Sequence, residues 1–221
     1  MFKKKPYLIA EVGSNHLGNR KLCISSVKQA KRSGADCVKF QLFDENNLVN
    51  KKMKIYKHVK DKNLIYQYQR FKKVKISIAM VKFLSKIAKK NKIDFCVTPF
   101  DSNYIKEIKN YVKFFKVASG DINNIDLLRE IAKTNKKVVI STGMSNLKEI
   151  RKAITFFPRK NITLLHCISC YPTELGDANL INIPFLRKKF NLEVGYSDHT
   201  IGIEVAANSV FFGATVIEKH F

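Results

Sequence analysis

Two short β-prone runs end on ionisable clusters: Glu193-Val194-Gly195-Tyr196-Ser197-Asp198-His199-Thr200 and Val216-Ile217-Glu218-Lys219-His220-Phe221. Apolar runs that stop on His, Asp, Ser or Lys are what strands look like when their C-terminal ends carry chemistry. The pattern recurs six times upstream. On one alternation face the runs carry Glu11, then Lys39 and Gln41, then Lys116 and, just beyond, Ser119. Glu218 and His220 stand two apart and so point to the same side. An unpaired ammonium or carboxylate is costly to bury. Two lysines from different strands therefore require either internal ion pairs with Glu11 and Glu218, or a bound anion. Strand-end hydroxyls at Thr98, Ser119, Ser141 and Ser197 favour the anion, because hydroxyls and lysines converging on one mouth make a phosphate or carboxylate cradle. His199 and His220 end neighbouring strands and can share one divalent metal, with water or substrate oxygens completing its shell; Mn, Fe, Co and Zn all accept imidazole. The alternative is a pair of structural histidines. His166 reads as a packed strand-end residue, His16 as a site-shaping group and His58 as lid surface.

These residues need strands to position them, and eight candidates stand in order: Tyr7–Gly13, Cys37–Phe43, Asp94–Phe100, Phe114–Ser119, Lys137–Thr142, Ile162–Cys167, Leu192–Ser197 and Thr215–Phe221. Between them Arg20–Ser33, Ala79–Asn91, Asn103–Asn110, Ile125–Thr134, Leu147–Phe156, Ile183–Phe190 and Gly202–Phe212 carry apolar residues at helical spacing. Alternating strands and helices with continuously apolar strands imply a parallel sheet. Eight strands imply a (β/α)8 TIM barrel. A doubly wound sheet would show a glycine fingerprint after its first strand, and Gly13-Ser14-Asn15-His16-Leu17-Gly18 does not supply one. Residues 44–76, rich in Lys, Tyr and Gln, are expected to form a lid over the mouth. Residues 1–221 read as a single barrel domain that stops as the eighth strand ends, short of the roughly 250 residues of a complete barrel. The expectation is a truncated barrel without its eighth helix.

The formal charge of +23 invites a polyanion partner. Only seven of the 41 basic residues are Arg, whereas phosphate-reading sites favour the Arg fork. Runs such as Lys89-Lys90-Asn91-Lys92-Ile93 and Thr134-Asn135-Lys136-Lys137 read as solvated helix surface, with no specific nucleic acid as partner. There is no signal peptide and no apolar run near the roughly 20 residues of a membrane span. Five cysteines, three of them (Cys37, Cys96, Cys167) inside apolar runs, read as reduced buried thiols of a cytoplasmic protein. The lone Cys167-x-x-Cys170 lacks the second pair a zinc site requires.

Taken together, Ile9-Ala10-Glu11-Val12-Gly13-Ser14-Asn15-His16, Gly34-Ala35-Asp36-Cys37-Val38-Lys39-Phe40-Gln41, Thr98-Pro99-Phe100-Asp101, Lys116-Val117-Ala118-Ser119-Gly120-Asp121, Ser141-Thr142-Gly143-Met144, His166-Cys167-Ile168-Ser169-Cys170-Tyr171-Pro172, Gly195-Tyr196-Ser197-Asp198-His199-Thr200 and Glu218-Lys219-His220-Phe221 resemble the N-acetylneuraminate (sialic acid) synthase family, which includes legionaminic and pseudaminic acid synthases. The match runs in order at every strand end outside the lid. The resemblance implies condensation of phosphoenolpyruvate with an N-acyl hexosamine to a nine-carbon 2-keto acid, with release of phosphate. It implies that Lys39, Thr98, Lys116, Ser119, Ser141, Ser169 and Ser197 hold phosphoenolpyruvate, and that Gln41, Asp121 and Tyr171 contact the sugar. His199 and His220 would bind a divalent metal, Mn2+ with Mg2+ or Co2+ as alternatives, and Glu11 would manage a proton. Some members carry Asn where Ser169 stands. In the family the barrel is followed by its last helix and an antifreeze-like domain that reaches across a swapped homodimer. The contrasting reading is an inactive remnant that binds phosphoenolpyruvate and metal without turnover.

Overall fold

A computed structural model describes residues 5–55 and 64–221 of the chain. Its eight strands are β1 (Tyr7–Gly13), β2 (Cys37–Leu42), β3 (Asp94–Pro99), β4 (Phe115–Val117), β5 (Val138–Ser141), β6 (Ile162–His166), β7 (Glu193–Asp198) and β8 (Val216–His220). Each pairs in parallel with the next, and β8 pairs with β1, so the sheet closes into a barrel. The predicted strands are all present: β1 has the expected bounds, β7 is shifted one residue toward the C-terminus, and the others are trimmed by one or two residues at their ends.

The helices between them are α1 (Arg20–Arg32), α2 (Glu45–Leu48), α3 (Gln67–Val74), α4 (Ile78–Lys90), α5 (Ile105–Ile108), α6 (Ile125–Ala132), α7 (Leu147–Ile154), α8 (Asn182–Phe190) and α9 (Glu204–Asn208). Their start signals are local. The Asn19 side chain accepts from the Lys21 and Leu22 amides, Ser77 from Met80, and Asn146 forms a capping box with Glu149. Cys23, Val27 and Ala30 on α1, and Val81, Leu84 and Ala88 on α4, form the stripes that these helices bury against the strands. Two expected helices come out differently. The segment 103–110 breaks into a short α5 between two 3-10 turns, and 202–212 is helical only over α9, leaving Phe211 exposed. Neither has an apolar stripe long enough to hold several turns against the sheet. Of the expected lid, α2, α3 and a bridge between Lys54 and Tyr66 are described; His58 lies outside the described residues. Among the described residues no helix is long and apolar enough to cross a membrane. Lys89, Lys90, Lys92 and Lys137 are exposed, as the solvated-surface reading requires.

Two cores result. The larger fills the space between sheet and helices. The smaller lies inside the barrel, where Ile9, Cys37, Cys96, Phe114, Val139 and Leu165 meet, with Tyr7 and Val216 packed against them. This inner apolar floor decides what comes next. Two residues further along each strand the side chain points inward again, and the positions reached are Glu11, Lys39, Thr98, Lys116, Ser141, Cys167, Ser197 and Glu218. Closure between β7 and β8 leaves no room for a side chain at Gly195, where an added Cβ would overlap the Val216 carbonyl oxygen and press on Leu165. Gly195→Ala is therefore expected to lower unfolding free energy by roughly 1–3 kcal/mol through overpacking, read as a reduced urea midpoint.

Candidate active site

The polar layer above that floor is closed off from water. Glu11, Lys39, Thr98, Lys116, Ser141, Ser197 and Glu218 are each at most 5% exposed. Lys39 Nζ lies 2.7 Å from Glu11 Oε2, 3.4 Å from Glu218 Oε2, and donates to Thr98 Oγ1 at 3.1 Å. Lys116 Nζ donates to Ser141 Oγ at 2.7 Å and to the Val117 carbonyl at 3.0 Å, with Glu218 Oε1 at 3.8 Å. Ser197 Oγ donates to Glu218 Oε1 at 2.9 Å. The internal ion pairs foreseen as the alternative to an anion are thus made, and they join the same groups that a cradle would use.

The charges set one another. Burial opposes the charge on Lys39, but Glu11 and Glu218 outweigh it and hold the ammonium above its ordinary range. Burial likewise opposes the Glu218 carboxylate, but Lys116 and Lys39 overcome it and hold the carboxyl at about 2. Glu11 goes the other way, raised by burial against the pull of Lys39. Burial also draws Lys116 below the usual lysine value, with Glu218 opposing.

Toward the mouth, Gln41 Nε2 donates to Glu11 Oε1 at 2.9 Å and the hydroxyls of Ser119 and Ser169 meet at 3.0 Å. His199 Nδ1 lies 2.6 Å from the Ile168 carbonyl. A carbonyl only accepts, so Nδ1 carries the proton and the Nε2 lone pair is free. The Ser197 hydroxyl lies 3.4 Å from that Nε2 but has given its proton to Glu218. Burial lowers the pKa of His199 and favours the neutral ring. Its turn is clamped: Asp198 accepts from the Thr200 amide and hydroxyl at 3.0 and 2.8 Å and from Lys219 Nζ at 2.6 Å. Tyr171 stacks on His199 with ring centroids 4.0 Å apart and meets His220 edge-on at 5.7 Å, and the two imidazoles are 5.8 Å apart. The end of β1 must stay thin for this. Gly13 has φ +54°, and a Cβ there would come within 3.4 Å of the His220 ring and 3.3 Å of Glu11.

One cavity is lined by Glu11, Lys39, Gln41, Thr98, Lys116, Ser119, Ser141, Tyr171, Ser197, His199 and His220, together with Ala118, Cys167 and Glu218. Two expected site residues do not line it. Ser169 meets the lining residue Ser119 hydroxyl to hydroxyl, and Asp121 ends the turn after β4, its carboxyl raised by burial although Asn124 opposes this. Three lining residues, Ala118, Cys167 and Glu218, have no ligand role in the sequence reading. The alternation of Leu165 on β6 with Cys167 just beyond it, and of Glu218 with His220 on β8, is the signal that places Cys167 and Glu218 inside. His16 is buried, its Nδ1 accepting from the Gly18 amide at 3.1 Å, and shapes the loop after β1. His166 is packed as expected, with Nε2 donating to the Ala178 carbonyl at 2.9 Å. Among the described residues all five cysteines are free, with Cys170 exposed and the others buried.

Lys39→Met would leave Glu11 and Glu218 facing each other without their shared cation. A loss of roughly 3–5 kcal/mol is expected for a broken buried pair, measured by urea denaturation at neutral pH. Burial lowers the pKa of both His16 and His166. The unfolded chain, with ordinary imidazoles near pH 6.5, then binds more protons than the fold as pH falls. Stability present above that pH is lost on acidification through the depressed values. The denaturation midpoint should therefore fall between about pH 7 and 5, less steeply in His16→Asn.

Residues 26–221 match the model of the NeuB family. The chain is similar to an N,N'-diacetyllegionaminic acid synthase of Campylobacter jejuni, 42% identical over 99% of this chain and 68% of the relative. A second protein of that name, from Legionella pneumophila, is 40% identical over 97% of this chain and 63% of its own length. The fold superposes with a TM-score of 0.86 on a solved structure, the N-acetylneuraminic acid (sialic acid) synthetase of Leptospira borgpetersenii in complex with citrate. That alignment is 33% identical and covers 98% of this chain and 73% of that one.

Proposed function

The chain belongs to the NeuB family, and on that footing we propose that its barrel is the catalytic unit of a sialic-acid-type synthase. In this reading phosphoenolpyruvate condenses with the open-chain aldehyde of an N-acyl hexosamine, giving a nine-carbon 2-keto acid and phosphate. The observation that carries it is the buried meeting of Lys39 and Lys116 with Thr98, Ser141 and Ser197 on a cavity that also presents His199 and His220. Closed from water, such donors act on an anion far more strongly than at a surface. The similar Leptospira protein holds citrate, itself a small polyanion. Similarity to two proteins named N,N'-diacetyllegionaminic acid synthases favours a diacetamido hexose as acceptor over N-acetylmannosamine or its 6-phosphate.

The residues divide the work. Lys39, Lys116 and the strand-end hydroxyls, Ser119 among them, hold the phosphate and carboxylate of phosphoenolpyruvate. Ser169 supports Ser119 through its hydroxyl. Gln41 and Tyr171 stand at the mouth where the sugar enters, and Asp121, in the turn after β4, is the third residue assigned to the sugar although it does not line the cavity. Carbon 3 attacks the aldehyde carbon as the enol double bond yields its electron pair, and the aldehyde oxygen takes a proton. Water adds at carbon 2, loses a proton, and the tetrahedral intermediate expels phosphate with its bridging oxygen. Glu11, placed between Gln41 and Lys39, exchanges the proton of the acceptor oxygen or of that water. Its raised carboxyl suits a group that both takes and returns a proton.

A metal fits the residues in part. Among the described residues no group of three His, Cys, Asp or Glu side chains is set to hold one, but the free Nε2 of His199 and the ring of His220 face one space. His199 and His220 would hold a divalent cation, Mn2+ before Mg2+ or Co2+, with water or substrate oxygens completing its shell; when bound it supplies Lewis-acid polarisation of the aldehyde oxygen.

Phosphoenolpyruvate labelled with 18O at the bridging position tests this reading. Phosphate should be released only when an acceptor sugar is present and should carry the label, and Lys116→Ala should lower the rate by at least about a hundredfold, the scale of losing one preorganised charge donor. Release without acceptor, or of unlabelled phosphate, would refute the condensation. Binding without release would leave a barrel that only holds its ligand.

A further inference from the structure

Glu218 engages three of the groups assigned above to the substrate anion. Its Oε1 accepts from Ser197 at 2.9 Å and lies 3.8 Å from Lys116 Nζ, while its Oε2 lies 3.4 Å from Lys39 Nζ. These groups belong to β7, β4 and β2, and one carboxylate on β8 gathers them. The other buried carboxylate behaves differently, for Glu11 holds Lys39 tightly at 2.7 Å. Glu218 holds both of its lysines loosely, at 3.4 and 3.8 Å.

The lysines have little left to offer a newcomer. An ammonium has three N–H bonds. Lys39 donates to Thr98 and lies at ion-pair distance from Glu11 and Glu218; Lys116 donates to Ser141 and the Val117 carbonyl, with Glu218 at 3.8 Å. With two lysines and two glutamates the layer is formally neutral, so it has no net charge with which to attract an anion. A carboxylate already stands where a phosphate or carboxylate would have to make its contacts.

We propose that Glu218 is a built-in stand-in for the substrate's anion, a positioning residue that keeps the cradle assembled when empty and yields its donors when phosphoenolpyruvate or phosphate enters. This rests on the anion-cradle reading above. Binding is then an exchange of one anion for another, not a simple addition. Without the stand-in, two buried ammonium groups would repel each other and need compensation. With it, the product phosphate is released into competition with a resident carboxylate, which favours its departure.

The inference makes an opposite forecast from a purely structural role. Removing the charge of a structural counter-ion loosens the site and weakens binding; removing a competitor tightens it. Inorganic phosphate and phosphoenolpyruvate are titrated calorimetrically into the unsubstituted protein, Glu218→Gln and Lys116→Met, each checked by circular dichroism. The expected result is phosphate affinity at least about tenfold higher in Glu218→Gln, about 1.4 kcal/mol, with slower phosphate dissociation. Equal or weaker affinity in a folded Glu218→Gln overturns the proposal. A second measurement needs no folded Gln variant. The 13C carboxyl resonance of Glu218 in the unsubstituted protein, assigned by its absence from Glu218→Asp, should shift on saturation with phosphate, and an unmoved resonance overturns the proposal. If the unsubstituted protein binds neither anion, the cradle reading fails and this inference falls with it. If it binds and Lys116→Met does not, the cradle stands and the Glu218 results alone decide.

Discussion

Two lysines and two glutamates buried together inside a closed barrel are the constraint on which the rest of this structure depends. None of the four can be removed alone without leaving a charge where water cannot reach it. Lys39 pairs with Glu11 and shares Glu218 with Lys116, while Thr98 and Ser141 accept from the lysines and Ser197 donates to Glu218. Such a layer adds nothing to stability that well-packed leucines would not give. Its persistence at the barrel's centre is a statement about chemistry.

The scaffold is arranged to hold that layer in place. The apolar floor formed by Ile9, Cys37, Cys96, Phe114, Val139 and Leu165 fills the barrel below it and fixes the inward alternation of each strand. Because a strand's side chains alternate with period two, that floor commits the next inward residue on every strand to the polar layer. Above, β1 ends on Gly13 in a left-handed conformation, which lets the His220 ring approach Glu11. Asp198, Thr200 and Lys219 lock the turn that presents His199, and the Ile168 carbonyl selects its tautomer. The Ile168 carbonyl and the Asp198–Lys219 pair thus hold the His199 turn from two sides, the kind of outer contact that keeps a ligating histidine oriented.

Much of this was legible in the sequence. Continuous apolar runs ending on polar residues gave all eight strands, and the alternation of Lys39 with Gln41 and Glu218 with His220 put the charges inside. The failures have physical causes. The 202–212 helix shrank to α9 because side chains such as Ile203 and Phe211 that suggested a buried stripe are exposed. Asp121 and Ser169 do not line the cavity; both follow the end of a strand, where period-two reasoning no longer says which way a side chain faces. Ion pairing and anion binding were posed as alternatives because composition cannot show that one set of groups serves both. The distances around Glu218 show the ion pairs, and that the same groups also receive an anion is what we propose.

The central claim is that the buried charged layer is an anion site beside a two-histidine metal site. The most direct measurement is calorimetric titration of phosphoenolpyruvate into the folded chain with and without Mn2+, beside Lys116→Ala and His199→Ala. The account predicts binding to the unsubstituted chain, none to Lys116→Ala, and in His199→Ala retained anion binding that no longer responds to Mn2+. A folded chain that takes up no phosphoenolpyruvate, or a Lys116→Ala variant that binds it as well as the parent, would contradict the account.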